Sequence, residues 1–257
     1  MQRPSAIWGF PGDRAFFPIR MIHRWRREMS DPRIDLVHRF FSGTGPSYDH
    51  VVNLCTLGFD HWWKRKILEK LPERPTRIMD LACGTGILTF RVARKFPECR
   101  VIGVELRSEY LDIARDKAKA KRIGNVEFIL SRAEDVLLEE PLDCITASYL
   151  AKYADLTTLT RNMRKMLRGG GLLVMHEFTY PSSRPFAWMW ELYFKLMQTA
   201  GSGKYPQWRT IFFELPALIR KTQWMTELVN LLHEHSFTDI ATESLTFGTS
   251  AIVTAKK

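Results

Sequence analysis

Eleven consecutive residues, Asp80-Leu81-Ala82-Cys83-Gly84-Thr85-Gly86-Ile87-Leu88-Thr89-Phe90, and a carboxylate at Glu105 carry the most legible chemistry of this chain. Arg77 to Leu81 reads as a short buried strand, and the glycines behind it open a helix. Gly84 and Gly86 permit a sharp turn and let a ligand approach where a Cβ would collide. A strand, a glycine turn and a helix N-terminus together build a nucleotide or nucleoside pocket at the carboxyl edge of a parallel sheet. Glu105 stands 21 residues beyond Gly84, about the spacing at which a second-strand carboxylate reaches a ribose. Its two oxygens suit a cis-diol. The third glycine of a dinucleotide fingerprint is missing, its place taken by Ile87-Leu88-Thr89. The pattern favours a ligand with a ribose and no phosphates, of which S-adenosylmethionine is the obvious member. Asp80, ending the strand, would orient the turn and help hold the amino group of such a ligand, or else serve as a simple turn carboxylate.

Later strand ends supply further candidates. Ser148 and Tyr149 follow a fourth predicted strand, where ligands sit in an open α/β sheet. Ser148 could meet the amino-acid end of the cofactor. Tyr48 and Tyr149 could hold an aromatic substrate between them or donate to its oxygen, although core packing with one satisfied hydroxyl is the commoner fate of a tyrosine. His176 and Glu177 close a fifth strand, and a period of two sends one of them towards the pocket. His176 there could deprotonate a phenol or enol, or merely hydrogen-bond within the sheet. A methyl sulfonium is already activated, so alignment could supply much of the catalysis. Phe186, Trp188, Met189, Trp190, Leu192, Tyr193, Phe194, Leu196 and Met197 suit a cleft for a hydrophobic or prenylated ring, with core packing as the alternative.

The elements that would position these residues alternate. Strands are expected at Arg77–Leu81, Arg100–Glu105, Val126–Leu130, Cys144–Ser148 and Leu172–Glu177, and helices at Leu88–Lys95, Ser108–Ala120 and Thr157–Leu167. This predicts a largely parallel sheet covered on both faces. Gly169-Gly170-Gly171 reads as a helix C-cap. Helical patterns precede the first strand between Asp35 and Leu71. Others cover Phe186–Met197, Leu215–Ile219 and Trp224–His235, with Gly201-Ser202-Gly203 as a flexible break. Phe237–Ile240 and Leu245–Thr254 read as strands pairing antiparallel at the sheet edge. The organisation expected is a basic extension over 1–34 and an α/β domain over 35–257, with a helical substrate cap from 35–71 and 182–235.

A chain of 257 residues, 45% hydrophobic, buries a full core without staples. No apolar run approaches the ~18 residues of a spanning helix, and the N-terminus lacks the pattern of a secretory signal. Cys55, Cys83, Cys99 and Cys144 have no close metal-ligand spacing and read as reduced cysteines of a cytoplasmic protein, against a disulfide or zinc site. The net charge of +10 steers the chain towards anionic partners. Met21, Ile22 and Trp25 share one face of a basic segment, Ile19–Arg27, which could anchor at the inner membrane surface or pack as an ordinary surface helix.

The Asp80–Gly86 motif, Phe40-Phe41 with Ser47-Tyr48-Asp49, Asn125–Phe128 leading to Ala133-Glu134-Asp135, and Leu167–Gly171 resemble the class I S-adenosylmethionine-dependent methyltransferases, and within them the ubiquinone/menaquinone C-methyltransferase branch. The similarity runs from about Phe40 to the C-terminus. It implies a Rossmann-like fold: a mostly parallel seven-stranded sheet with an antiparallel C-terminal strand and a helical cap. It also implies S-adenosyl-L-methionine as cofactor, with Ala82 in the loop, Leu106 on the adenine face and Ala133 and Glu134 at the purine edge. The activity implied is methyl transfer to a small hydrophobic aromatic, a quinone precursor. Two positions depart from the branch. Arg132 replaces an Asp that would accept from adenine, and Lys152-Tyr153 stands in place of an Arg-Asn pair near the substrate. A related enzyme of altered chemistry on another hydrophobic molecule is the alternative. The run Ser148-Tyr149-Leu150-Ala151 after the fourth strand holds no proline, and no RNA-binding appendage is recognisable, so nucleic acid is disfavoured as a partner, while a homodimer is compatible with the sequence.

Overall fold

In a computed structural model, which describes residues 31–257, the short apolar runs become strands, the central ones buried on both faces and the two edge strands only partly covered. Their ends agree with the sequence for β1 (Arg77–Leu81), β2 (Arg100–Glu105) and β3 (Val126–Leu130), while β4 (Leu142–Ser148) and β5 (Leu167–Phe178) start earlier. With β6 (Thr238–Leu245) and β7 (Ser250–Lys256) they form one seven-stranded sheet ordered β3-β2-β1-β4-β5-β7-β6. β1 to β5 run parallel, and β7 inserts antiparallel between β5 and β6. The expected segment Ile19–Arg27 lies outside the described residues.

The helices are α1 (Pro32–Phe41), α2 (Tyr48–Cys55), α3 (Phe59–Lys70), α4 (Ile87–Lys95), α5 (Ser108–Ala120), α6 (Leu156–Met166), α7 (Arg184–Leu196), α8 (Ser202–Lys204), α9 (Arg209–Lys221) and α10 (Trp224–Glu234). One sheet face packs on α6 and α10 through Leu159, Met163, Leu228 and Leu232; the other packs on α3 and α4 through Trp63, Ile67, Leu88 and Val92. α5 packs beside α4 against β2 and β3 through Ala114 and Ala118, and α1, α2, α7, α8 and α9 gather over the carboxyl ends of the strands, where Phe40, Val51, Tyr153, Trp208 and Phe212 form a separate apolar cluster.

Two expectations fail locally. Gly169–Gly171 do not cap a helix: α6 ends at Met166, and the glycines already belong to β5. The chain's last residue explains it, because Gly170 N–H donates to the Lys257 carbonyl at 2.8 Å and Lys257 N–H to that of Gly171 at 2.9 Å. Nor is Gly201-Ser202-Gly203 a break. A π-helical turn, Met197–Gly201, carries α7 directly into α8, and Gly201 lies against the Phe212 ring. Among the described residues no helix is long and apolar enough to cross a membrane.

Gly86 precedes α4 at φ +88°, and a Cβ there would stand 2.4 Å from the Phe90 ring. Gly86→Ala should therefore lower stability by about 1–3 kcal/mol. Gly124 has negative φ and open space around its Cβ position, so Gly124→Ala should stay within about 0.5 kcal/mol. Urea unfolding of the two variants compares them directly.

Candidate active site

The turn after β1 bends through two left-handed residues, Ala82 at φ +54° and Gly84 at φ +57°. That geometry aims the Gly84 N–H at Glu105, whose Oε2 accepts it at 2.9 Å while Oε1 accepts the Arg107 N–H at 2.9 Å. The carboxylate is thus fixed at the end of β2 by two backbone donors. Each oxygen keeps acceptor capacity for a further hydroxyl. Ala82, Gly84, Glu105, Leu106, Ala133, Glu134, Ser148, Tyr149 and Tyr48 line one pocket with residues of α1 above it. No side chain crowds the inner face of the turn: a Cβ on Gly84 would find its nearest neighbour, the Tyr110 ring, at 3.8 Å. Gly86 spends its N–H on the Cys83 carbonyl at 3.0 Å, which takes that donor away from any phosphate. Its glycine is required by Phe90 rather than by a ligand.

Arg132 accepts nothing and is tied to carboxylates, 2.9 Å from Asp31 and 3.5 Å from Glu134. Glu134 is occupied further by the Asp155 N–H at 2.9 Å. The rim of this pocket is therefore an ionic clasp between α1 and the loop after β3.

Beneath Tyr149 lies a small cavity where Asp60, Lys64, Asp80 and Ser148 meet Cys83 and the apolar side chains of Val52, Ile87 and Leu88. α3 brings Asp60 and Lys64 there as an almost fully buried pair 3.0 Å apart. Tyr149 O–H donates to Asp60 at 2.7 Å, and Lys64 donates to Ser148 Oγ at 2.6 Å. An ammonium has no acceptor capacity, so Ser148 turns its own proton to His176 Nδ1, 2.9 Å away, and His176 Nε2–H faces Ser250 Oγ at 2.6 Å. Burial and the Lys64 charge push the histidine well below its ordinary pKa. It is neutral, sealed between Trp63 and Tyr149, and lines none of the pockets described here. The structure thus places His176 behind the site, with both nitrogens engaged, rather than at an acceptor. Glu177, its neighbour, is equally buried.

Asp80 lies on the far side of this cavity. Thr146 donates to its Oδ1 at 2.9 Å and Thr89 to its Oδ2 at 2.6 Å. These contacts tie β4 and α4 to the end of β1. Burial nevertheless pushes the carboxyl up to about 6.

On the other side of Tyr149 opens a larger apolar cavity of about 400 Å³. Six of the nine aromatic and aliphatic residues expected in a cleft line it: Phe186, Met189, Trp190, Tyr193, Phe194 and Met197. Trp188, Leu192 and Leu196 instead face outwards. α10, at the end of the expected cap, packs on the sheet and contributes nothing to this cavity. Phe41, Tyr48, Tyr149 and Tyr153 line both the cavity and the first pocket, so they form the partition between them. Tyr149 holds a left-handed backbone at φ +65° and stacks on Phe178 at 4.6 Å. A non-glycine residue in that conformation costs about 1–3 kcal/mol and persists where its surroundings enforce it. Asp60 and Lys64 were not among the residues singled out from the sequence, whereas Tyr153 was marked there with Lys152 as the pair near the substrate. The signal for the first two is the spacing Asp60, Trp63, Lys64, Ile67, which puts two charges on the buried stripe of a helix.

The model of the ubiE/COQ5 methyltransferase family matches residues 27–257. The chain belongs to that family. It is accordingly an S-adenosylmethionine-dependent methyltransferase acting on a small hydrophobic molecule. Relatives include the demethylmenaquinone methyltransferase of Bacteroides fragilis, 27% identical over 227 residues (86% of this chain, 92% of that one). That of Thermus thermophilus is 30% identical over 221 residues (82% and 97%). In fold the chain is similar to the geranyl diphosphate C-methyltransferase of Streptomyces coelicolor, with a TM-score of 0.56 at 14% identity over 77% of this chain and 80% of that one.

The site residues fit S-adenosylmethionine. Glu105 offers acceptors for a ribose, Leu106 and Ala133 an apolar purine bed, and the Asp60–Lys64–Asp80 cavity opposite charges for a zwitterionic amino acid. Glu105→Ala should weaken binding of S-adenosylhomocysteine roughly 10- to 100-fold, the worth of a hydrogen bond to a charged group, as read by calorimetric titration. Asp80 gives a second test. Its carboxyl holds a proton more tightly folded than unfolded, so without ligand stability falls as pH rises from about 4 to about 6. Asp80→Asn should remove that slope in urea unfolding across the same window, and a slope unchanged by the substitution would contradict the assignment.

Proposed function

We propose that this enzyme transfers a methyl group to a ring carbon of a hydrophobic, hydroxyl-bearing aromatic, a quinone precursor in its reduced form. The observation that carries this reading is the shared partition: an apolar, aromatic-lined cavity meets the nucleoside pocket at Tyr48, Tyr149 and Tyr153. The names of the relatives, demethylmenaquinone methyltransferases among them, favour the same acceptor. Bound S-adenosylmethionine supplies an activated methyl on sulfur. The protein's part is to hold Glu105, the Gly84 turn and the Lys64 cavity on one side and the acceptor ring on the other. Tyr48 and Tyr149 flank the ring, and His176 acts at one remove, fixing Ser148 and with it Lys64. Alignment of this kind supplies a large part of the rate where the methyl is already activated.

A prenyl tail has a path out of the cavity. Leu57 and Phe247 stand at its mouth, 71% and 68% exposed, with Met189 at the rim and Trp188 outward on α7. Together with the net charge of +10, this apolar rim suits peripheral contact with an anionic lipid surface. Leu57→Asp with Phe247→Asp should reduce co-sedimentation with phosphatidylglycerol vesicles severalfold and leave S-adenosylhomocysteine affinity unchanged. Equal sedimentation would remove the rim from the account.

Incubation with methyl-labelled S-adenosylmethionine and a demethylated naphthoquinol, followed by mass analysis, tests the reaction. Label on a ring carbon is expected. Cofactor consumption without a labelled lipid would indicate altered chemistry, and label in RNA or protein would overturn the substrate assignment.

A further inference from the structure

One charged side chain, Lys152, lines the apolar cavity. It is buried, and it reaches a wholly buried partner, Glu177, at the end of β5. The Lys152 ammonium sits among rings, 4.7 Å from the centre of Tyr153, 5.1 Å from Phe178 and 5.7 Å from Tyr149. Two of those rings belong to the partition, so a ring oxygen that meets Lys152 lies beside the nucleoside pocket. Glu177 Oε1 takes Lys152 and the Phe178 N–H at 2.8 Å. Its Oε2 is buried without a hydrogen-bond partner, the one such carboxylate oxygen among the described residues. A buried half-satisfied carboxylate is costly and calls for a reason. Asp60 and Lys64, the nearest comparable pair, satisfy one another with Tyr149 and Ser148 on the other side of the partition.

We propose that Lys152 and Glu177 form the proton acceptor for the hydroxyl of the acceptor ring, Lys152 as the catalytic residue at the ring oxygen and Glu177 as the group that finally holds the proton. One N–H proton of Lys152 moves to the Glu177 carboxylate. The ring O–H bond breaks, its proton takes the vacated place on nitrogen, and the electron pair stays on the ring oxygen. An ammonium then faces a phenolate, with a neutral carboxylic acid behind it. The phenolate raises electron density at the neighbouring ring carbon. The proton returns by the same route once that carbon has been methylated, while the ring C–H proton leaves to water. Burial holds the Lys152 ammonium below its ordinary pKa, which eases the passage of its proton to Glu177.

The proposal rests on the cavity being the acceptor site, and two measurements separate it from that reading. Removing Lys152 alone would strand a buried carboxylate, so the variants are Lys152→Met with Glu177→Leu, and Glu177→Gln. The first measurement is the visible absorbance of a bound nitrophenol, which reports its ionisation without any reaction. Wild type and Glu177→Gln should bind the anion, and the double variant the neutral phenol. The second is turnover of a short-chain naphthoquinol, which should fall about 100-fold or more in Glu177→Gln, within the range of acid–base catalysis. A double variant that binds the anion as wild type does, or turnover by Glu177→Gln within threefold of wild type, overturns the proposal. If the double variant does not fold, Glu177→Gln alone decides. Wild type that methylates no naphthoquinol would instead refute the function proposed above.

Discussion

The buried Asp60–Lys64 pair on α3 is the constraint on which the site depends. Two charges this deep are tolerated only when their remaining hydrogen-bonding capacity is met. Here part of it is met by Tyr149 and Ser148 at the end of β4, and through Ser148 by His176 and Ser250 on the two strands beyond, and the rest faces the cavity. A helix that precedes the sheet in sequence is thereby keyed to three of its strands. Tyr149 pays with a left-handed backbone, and in return its ring stands as a fixed partition. The pair thereby fixes Tyr149 between the cavity of Asp60 and Lys64 and the apolar one at the carboxyl edge of the sheet.

On the proposed function, that arrangement divides the labour of a methyl transfer between two dielectric environments. Glu105 and the Gly84 turn are built from one chain segment and the strand beside it, using backbone donors that need no side-chain reorganisation. The acceptor side is built from helices far apart in sequence, whose aromatic residues bury one another as much as any ligand. Exchanging those residues changes what the cavity admits while the cofactor side stands. Lys152, backed by Glu177, is the charged group among the described residues of this largely apolar wall, and its burial gives the pair a strength it would lack in water.

Legibility followed range. β1 and β2 were readable to the residue because a parallel strand covered on both faces is a nearly continuous apolar run, and β3, at the sheet edge, because Val126, Phe128 and Ile129 are strand-prone. Glu105, Gly84 and Ala82 were readable because their geometry is local to one turn. The glycines Gly169–Gly171 misled because their partner is the far end of the chain, Lys257. The start of α9 was missed because Pro216 sits inside that helix. His176 was placed on the right strand, but its surroundings come from α3, β4 and β7, and no period reveals that both of its nitrogens are taken. Lys64 and Asp60 left a trace as charges at the spacing of a buried stripe. Tyr153 was marked beside the substrate by resemblance alone, since its role as part of the partition exists only once α1 and α9 have closed over it.

The central claim is that the two chambers communicate at the tyrosine partition, and a bisubstrate ligand tests it most directly. Such a ligand joins an adenosyl-homocysteine analogue, nitrogen in place of sulfur, through one methylene to the ring carbon of a naphthol. Occupying both chambers at once should make it bind at least about 100-fold more tightly than S-adenosylhomocysteine in calorimetric titration, as expected when two sites are bridged at the correct span. Affinity equal to or weaker than that of S-adenosylhomocysteine would mean that the partition is closed, and would contradict the account.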